Sequence, residues 1–160
     1  MIKINIIAVG KLKEKYLSDA CKEYLKRLGA FAKVEICEIS EYRAKENPSP
    51  AEIEIIKEKE GEQILSKIPK GAYVFPMCIE GKELSSEEFS KKIEKEMLLS
   101  NAEFVFIIGG SFGLSEAVKS RGDFRLSFGK ITLPHQLMRV VLLEQIYRAF
   151  SIMNNSKYHK

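Results

Sequence analysis

The segment with the clearest chemical character is a glycine-rich turn, Gly109-Gly110-Ser111-Phe112-Gly113, which directly follows the apolar run Phe104 to Ile108. Five consecutive apolar residues without polar alternation are typical of a strand that is buried on both faces of a parallel sheet. Ligands of such sheets bind beyond the carboxyl ends of the strands, where glycines let a ligand approach the backbone closely. The sequence therefore predicts a ligand site at Gly109 to Gly113.

The same turn also satisfies the pattern G-x-S-x-G of a serine hydrolase, with Ser111 as the nucleophile. Asp123 or Glu144 would then supply the acid, and His135 or His159 the base. The chain is short for that fold and has no upstream glycine motif for an oxyanion hole. Glycines that allow positive φ and close helix packing explain the same residues without catalysis. A serine hydrolase is kept as the alternative function.

A second informative stretch is the mixed loop Leu126 to Gln136, which precedes the last apolar helix. If the strands before the two loops are neighbours, exposed amides and carbonyls of both loops could bind the edge of an adenine without charged side chains. A helix-entry loop in which Pro134 sets φ explains the stretch equally well. Both interpretations stay open on the residues alone.

Strands and helices that alternate along the chain must position these loops. Apolar, β-branched segments predict strands at 2–9, 34–39, 72–79, 104–108 and 124–128. Helical spacing predicts helices at 14–28, 51–68, 85–99, 115–120 and 134–153. Pro76 favours an edge position or an irregular end for the third strand, and 80–82 reads as a turn. We expect one α/β domain, residues 1–160, with a mainly parallel sheet, flanking helices and right-handed crossovers.

The last helix is apolar on nearly every side, so we expect one side to meet the core and another to meet a second subunit. Pro134 suits its first helical position. Arg139, Glu144 and Arg148 interrupt the apolar surface. Charged residues on an otherwise buried helix need partners, which favours structural ion pairs over site residues.

Composition narrows the possible classes of protein. The formal net charge is +4, and both ends of the chain are basic whereas the middle is acidic. Neither G-x-G-x-x-G nor a P-loop motif occurs, and two distant histidines with three isolated cysteines predict no metal site and no disulfides. The chain has no signal peptide and no run of membrane-spanning length, so we expect a cytoplasmic protein that binds no membrane.

The motifs together resemble those of the large-subunit ribosomal RNA methyltransferase H family, over essentially the whole chain. The similarity rests on Val9-Gly10-Lys11-Leu12-Lys13, Gly109-Gly110-Ser111-Phe112-Gly113, Leu126-Ser127-Phe128, Thr132-Leu133-Pro134-His135-Gln136, Arg139-Val140, Glu144 to Ala149 and Tyr158-His159-Lys160. The resemblance implies a homodimeric SPOUT methyltransferase whose C-terminal part forms a trefoil knot. It also implies transfer of a methyl group from S-adenosylmethionine to N3 of pseudouridine 1915 in 23S rRNA. Periodicity alone would argue against a knot.

The resemblance also assigns cofactor-binding residues. They are Met77, Gly109, Phe128, Gly129, Lys130, Ile131, Thr132 and Leu133. The family commonly has an aromatic residue where this chain has Leu133, so we expect a backbone contact there. These positions coincide with the loops that the residue pattern singled out.

The acceptor nitrogen carries a proton that must leave, so a base should lie within hydrogen-bond reach of it. His159 is a suitable base near neutral pH, and Tyr158 could stack on the target base or orient it. In a dimer this tail could close over the partner's cofactor loop. An isolated Tyr-His-Lys terminus would otherwise read as a solvated tail.

Basic residues are the candidates for contacts to rRNA phosphates, whether in free rRNA, in the large subunit or in the assembled ribosome. They are Arg139, Arg148, Lys157 and Lys160, with Lys11, Lys13 and Lys15 in the first turn. We expect no DNA partner. A non-catalytic RNA- or ribosome-binding module is the second alternative function, because such contacts require no cofactor.

Overall fold

Five strands alternate with five helices in the computed structural model, which describes residues 1–160. In chain order they are β1 (Ile2–Val9), α1 (Lys15–Leu28), β2 (Ala32–Ile39), α2 (Pro50–Lys67), β3 (Tyr73–Glu83), α3 (Ser86–Leu98), β4 (Glu103–Ile108), α4 (Glu116–Arg121), β5 (Leu126–Ser127) and α5 (His135–Met153). All strand pairs are parallel, in the order β2-β1-β4-β3-β5. The predicted α/β fold with a parallel sheet is confirmed.

Both faces of the sheet are covered, as the apolar strands require. Along β4, Phe104, Phe106 and Ile108 join the core on the face covered by α1, α3 and α5. The intervening Val105 and Ile107 join the core on the opposite face, beneath α2 and α4. Since side chains alternate along a strand, one continuous apolar run serves two cores.

Helix starts follow the sequence closely. Ser85 and Glu88 form a capping box, a Ser-x-x-Glu pattern readable in the sequence, in which the Glu88 amide donates to Ser85 Oγ at 3.1 Å and the Ser85 amide donates to the Glu88 carboxylate at 2.8 Å. Ser115 caps α4 by accepting from the Val118 amide. Pro134, in contrast, precedes the first helical residue, because its extended ψ of 134° places it at the cap position. The prediction of Pro134 as the first helical residue is therefore wrong by one position.

The third strand departs from its predicted course. It continues through the expected turn at 80–82 and ends only at Glu83. Pro76 does not lie in an edge strand, since β3 pairs with both β4 and β5, but it is the last residue of β3 paired with β4. The register with β5 shifts between Met77 and Lys82. The prediction of an irregular end is confirmed, and the strand passes the irregularity as a bulge.

The fifth strand contains only Leu126 and Ser127, instead of the predicted 124–128. The amides of Asp123 and Phe124 both donate to the Val74 carbonyl, at 2.8 and 3.2 Å, so this segment turns before it pairs. A strand this short leaves the following backbone free to form a loop.

The last helix lies between α1 and α3, and its charged residues have partners in the chain. Arg139 is 2% exposed, and its guanidinium donates to Glu38 at 2.8 Å and to the Gly10 carbonyl at 3.2 Å. Arg148 pairs with Glu144. Both arginines thus form the ion pairs that their place on this helix favours. No helix in this fold has the length and apolar character that crossing a membrane requires.

Candidate functional site

A cavity of about 410 Å³ opens at the carboxyl ends of β3, β4 and β5. Its size is typical of small-molecule sites. The walls are the end of β3 from Met77, the turn Gly109 to Gly113 after β4, and the segment Leu126 to Leu133 around and after β5. His135 and Met138 of α5 contribute the remaining side. The cavity therefore joins the two loops that the sequence singled out.

The two loops meet although their strands are not neighbours. β3 lies between β4 and β5 in the sheet, so the two strands that precede the loops are not adjacent, contrary to the assumption made from the sequence. The loops meet because the chain leaves β5 at the sheet edge and returns toward β1. At the end of this crossing, the His135 ring lies 3.5 Å from the position that a β-carbon on Gly10 would occupy. Long-range packing, rather than strand order, brings the loops together.

The glycine-rich turn is folded tightly upon itself. The Gly113 amide donates to the Gly110 carbonyl at 3.1 Å, and Gly113 has a φ of +85°. A β-carbon on Gly109 would lie 2.9 Å from the Gly113 carbonyl carbon, which is closer than such atoms approach. Gly109 is thus required by the close approach of two backbone segments at the cavity wall.

The segment after β5 presents backbone groups to the cavity. Ser127 Oγ donates to the Ile79 carbonyl at 2.9 Å and accepts from the Gly129 amide at 3.1 Å, which fixes the start of the segment. From Lys130 to Leu133, no amide or carbonyl forms a hydrogen bond within the chain. Lys130 to Thr132 are exposed, so their unpaired amides and carbonyls face water and are open to a ligand at the edge of the cavity.

The cavity lining is mostly apolar with a few charged groups. Apolar side chains come from Met77, Leu126, Phe128, Leu133 and Met138, among others. The charged side chains are Lys57, Glu80 and Lys119. Lys119 forms an ion pair with Glu80, and its hydrogen bond holds the pKa of that carboxyl below its usual value. Apolar walls with a few charged groups are typical of sites for small molecules.

The hydrolase triad is not assembled. The exposed hydroxyl of Ser111 donates to Glu41 at 3.2 Å and forms no hydrogen bond with a histidine. Asp123 accepts from the Val74 amide, and Glu144 binds Arg148. The structure thus provides no histidine base for Ser111, and the glycines of the turn are explained by its backbone geometry.

The C-terminal tail lies away from the cavity of its own chain. His159 contacts Glu87 at 2.7 Å and Arg148 at 3.0 Å. The Tyr158 hydroxyl donates to Glu144 at 3.2 Å, and its ring packs edge-on against another tyrosine ring. Arg148 lies ten residues beyond Met138, about 15 Å farther along the helix. Neither tail residue lines the cavity.

The tail site holds Tyr158 in its neutral form. Burial raises the pKa of Tyr158 to about 12, and hydrogen bonds with Tyr24 and Glu144 add to the rise. In this position the phenol donates rather than accepts, so it cannot serve as a base here.

Comparison with protein families decides the class of this chain. The family described as "Predicted SPOUT methyltransferase" matches residues 2–159. The chain belongs to the SPOUT methyltransferase family.

Individual relatives in this family match the full length. Ribosomal RNA large subunit methyltransferase H of Enterococcus faecalis is 54% identical over 159 residues, which are 99% of this chain and 100% of that protein. The proteins of the same name from Lactobacillus helveticus and Listeria monocytogenes are 55% and 54% identical over the same shares. The resemblance noted in the sequence is therefore confirmed.

The residues expected to bind the cofactor of this SPOUT methyltransferase gather in one place. Of these, the cavity is lined by Met77, Gly109, Phe128, Gly129, Ile131, Thr132 and Leu133. Lys130 belongs to the same segment, but its exposed side chain is not part of the lining. Their role as cofactor ligands stays a prediction that this clustering supports.

The basic residues expected to contact RNA have different environments in this SPOUT methyltransferase. Lys157 and Lys160 are exposed and form no ion pair. Arg148 is half-buried between Glu144 and His159. Arg139 is buried in its ion pair with Glu38, so we leave it out of the proposed RNA surface.

Sequence reasoning missed several lining residues. His135 is the first residue of α5, and its ring also reaches the cavity and has no hydrogen-bond partner. Its neighbour Gln136 does hold the loop, by accepting from the Lys13 amide at 3.5 Å. Lys57 and Lys119 lie on charged helices, where a pattern cannot distinguish a cavity lysine from a solvated one. Of these lining residues, only His135 could have been identified from the sequence, because it belongs to the motif that follows Pro134.

Proposed function

We propose that this chain is an S-adenosylmethionine-dependent methyltransferase of large-subunit rRNA, and that it methylates N3 of pseudouridine 1915 in 23S rRNA. The relatives that match its full length are named ribosomal RNA large subunit methyltransferase H. The observation that carries the proposal is the cavity edged by the unpaired backbone of Lys130 to Leu133. A small amphipathic ligand with a hydrogen-bonding heterocycle fits such a site.

The residues present fit S-adenosylmethionine. Amides and carbonyls of Lys130 to Leu133 would bind the adenine edge, while Met77, Leu126 and Leu133 would cover its faces. The Gly109 backbone packs too closely on Gly113 for a side chain, so the turn would present its backbone to the ribose at the cavity wall. When bound, the cofactor supplies a methyl group with its own leaving group. The chain contributes binding, orientation and exclusion of water.

The acceptor nitrogen must lose a proton, and we assign its acceptance to His159 with Tyr158 orienting the base. In its own chain the tail is held by Glu87, Arg148 and Glu144, so it would act on the cavity of a partner subunit. The half-exposed face of α5, which includes Leu137, supports a homodimer in which tails and cavities face each other. Lys157, Lys160 and Arg148 would then lie beside the RNA.

A trefoil knot is part of the proposal. The segment from β5 to α5 crosses from the edge of the sheet to the end of β1 in the seven residues 128–134. It passes the Gly109 to Gly113 turn on the way, since both line the cavity. The proximity of this crossing to another loop supports the knot as part of the proposal. A ribosomal substrate would also place the enzyme in the cytoplasm.

Titration calorimetry with S-adenosylmethionine and with its demethylated product tests the cofactor. We expect both to bind at one site per chain and to raise Tm. Transfer of a tritiated methyl group to ribosomes from cells that lack this enzyme tests the reaction. A chain that binds rRNA without a cofactor response would instead be a binding module, and labelling of Ser111 by a fluorophosphonate would indicate a hydrolase.

Mixed dimers test whether the tail acts between subunits. One protomer carries Gly109→Ala, which disrupts the cavity, and the other lacks residues 158–160. Random exchange gives half heterodimers, each with one intact pair of cavity and tail, so activity should return to about a quarter of the unmodified level. A tail that acts within its own chain would give no recovery.

A further inference from the structure

The loop between β2 and α2 lies beside the cavity mouth and presents an aromatic ring to solvent. Tyr42 is 44% exposed, and its ring contacts no other aromatic ring or cation. Four of the six tyrosines pack against other rings, namely Tyr24, Tyr73, Tyr147 and Tyr158. Tyr16, on α1, is the remaining one. Tyr42 is therefore an available stacking surface next to the site.

The backbone of this loop is held firmly to the cavity wall. The Tyr42 amide donates to the Glu60 carboxylate at 3.0 Å, and Glu41 accepts from the Ser111 hydroxyl at 3.2 Å. Glu60 is only 3% exposed, and burial raises its pKa. A β-carbon on Gly110 would lie 3.3 Å from the same carboxylate. A buried carboxylate is costly, so its use to hold an exposed loop indicates that the position of this loop matters.

The same loop carries two unpaired cations. Arg43 and Lys45 are exposed, and neither has a carboxylate oxygen within 4.0 Å. Elsewhere in the chain eleven such contacts are formed, including those of the neighbouring helix residue Lys57. The loop also carries two acidic residues, of which Glu41 is bound by the Ser111 hydroxyl and Glu46 is exposed. An exposed ring followed by two free cations can still bind single-stranded nucleic acid, through stacking and phosphate contacts.

We propose that Tyr42, Arg43 and Lys45 form an RNA-binding platform at the mouth of the cofactor cavity. The tyrosine ring stacks on an unpaired base near the methylated position, and the two cations contact adjacent phosphates. This inference rests on the proposed function, because it concerns how the RNA substrate reaches the same cavity. Unlike the tail, the platform belongs to the chain that forms the cavity.

The phosphate contacts are tested with Arg43→Gln/Lys45→Gln against the matched control Lys67→Gln/Lys70→Gln. The control removes the same charge from exposed lysines at the amino end of β3, away from the cavity. Co-sedimentation with ribosomes from cells that lack the enzyme, at constant magnesium and varied KCl, gives Kd. We expect weaker binding and a log–log salt dependence that is shallower by about 1.4 to 1.8 for the platform variant only.

The stacking contact is tested with Tyr42→Ala, with Tyr42→Phe as the conservative variant and Tyr16→Ala as the matched control. We expect Tyr42→Ala to raise the KM for ribosomes by about tenfold, and Tyr42→Phe and Tyr16→Ala to leave it unchanged. The Kd for S-adenosylmethionine should be the same in all of them.

The outcomes separate the platform from the proposed function. If the unmodified chain neither binds S-adenosylmethionine nor transfers methyl groups, the proposed function fails. If it does both and the platform variants match their controls in KM and salt dependence, only the platform is refuted. Loss of cofactor affinity in the platform variants would also refute it, since the loop would then merely support the cavity.

Discussion

The cavity and the C-terminal tail differ in how far their polar groups are satisfied within the chain. Along the cavity, the backbone of Lys130 to Leu133 has no internal partner. In the tail, Tyr158 and His159 both have partners, in Glu144, Arg148 and Glu87. One region is ready for a ligand, whereas the other is already occupied by contacts of its own chain.

This difference indicates that the cavity and the tail need different amounts of rearrangement before they can act. The cavity needs little rearrangement to bind, because tight turns at Gly109 and Ser127 hold its walls. The tail must exchange internal contacts for others before it can serve catalysis. Its contacts are mostly half-exposed, and such polar contacts contribute little to stability. The exchange therefore costs little free energy. A reaction that needs both regions is therefore expected to require rearrangement of the tail.

Removal of Tyr158, His159 and Lys160 is expected to have the largest effect. Loss of the proton acceptor should lower kcat for methyl transfer by about a thousandfold. The Kd for S-adenosylmethionine should change far less, because the tail does not line the cavity of its own chain and takes part only in the proton step at the partner's cavity. Calorimetry and tritium transfer measure the two quantities. If kcat and cofactor affinity fell by the same factor, the tail would be needed for the cavity itself, and the distinction between the two regions would be wrong.

Gly109→Ala is expected to have the next largest effect, now on the cavity alone. The new β-carbon would displace the Gly113 backbone, and loss of the ligand's backbone contacts should weaken cofactor binding by about a hundredfold. Gly113→Ala is the control, since it adds strain at positive φ but meets no atom within 4 Å. Calorimetry should therefore find the smaller loss in Gly113→Ala. Equal affinities would contradict the role of close approach at Gly109.

Glu144→Gln should loosen the tail at a modest cost in stability. It removes the charge that Arg148 binds and weakens the contact to Tyr158, which we expect to lower the free energy of unfolding by about 1 kcal/mol. Asp19→Asn breaks the exposed pair with Lys15, also four residues apart, and should change almost nothing. Urea denaturation compares the two variants. A larger effect of Asp19→Asn would refute the assignment of Glu144 as the tail anchor.

The smallest effect concerns pH. The pKa of Tyr158 is raised from 10.0 to about 12 in the folded chain. A phenol with a raised folded pKa contributes stability that is present below pH 10 and lost as pH rises through 12. The difference in phenolate absorbance between the unmodified chain and Tyr158→Phe should therefore titrate near pH 12. A midpoint near 10 would mean that the tail is already free.

Much of the fold could be predicted from local patterns. The run from Phe104 to Ile108 predicted a doubly buried strand, and Ser85 and Ser115 predicted two helix starts. The glycine-rich turn predicted a ligand site, and the cavity does lie there. These features depend on residues that are close in the chain, so their physics is local.

The remaining features depended on distant contacts. β5 is short because the amides of Asp123 and Phe124 donate to the Val74 carbonyl instead of pairing in the sheet. β3 continues through its expected turn because β5 pairs with it beyond the bulge. His135 lines the cavity only because the chain returns across the sheet. The contact between the His159 ring and the Glu87 carboxylate joins residues that are 72 positions apart in the chain.

The sequence by itself thus determined the strands, the helices, the class of fold and the family, because side-chain periodicity and ordered motifs are properties of neighbouring residues. The tertiary structure alone decided that the loops after β4 and β5 share one cavity and that the tail lies outside it. Strand order and crossing direction follow from the packing of the whole core on both faces of the sheet. No short segment encodes them, and they set which polar groups stay free for a ligand.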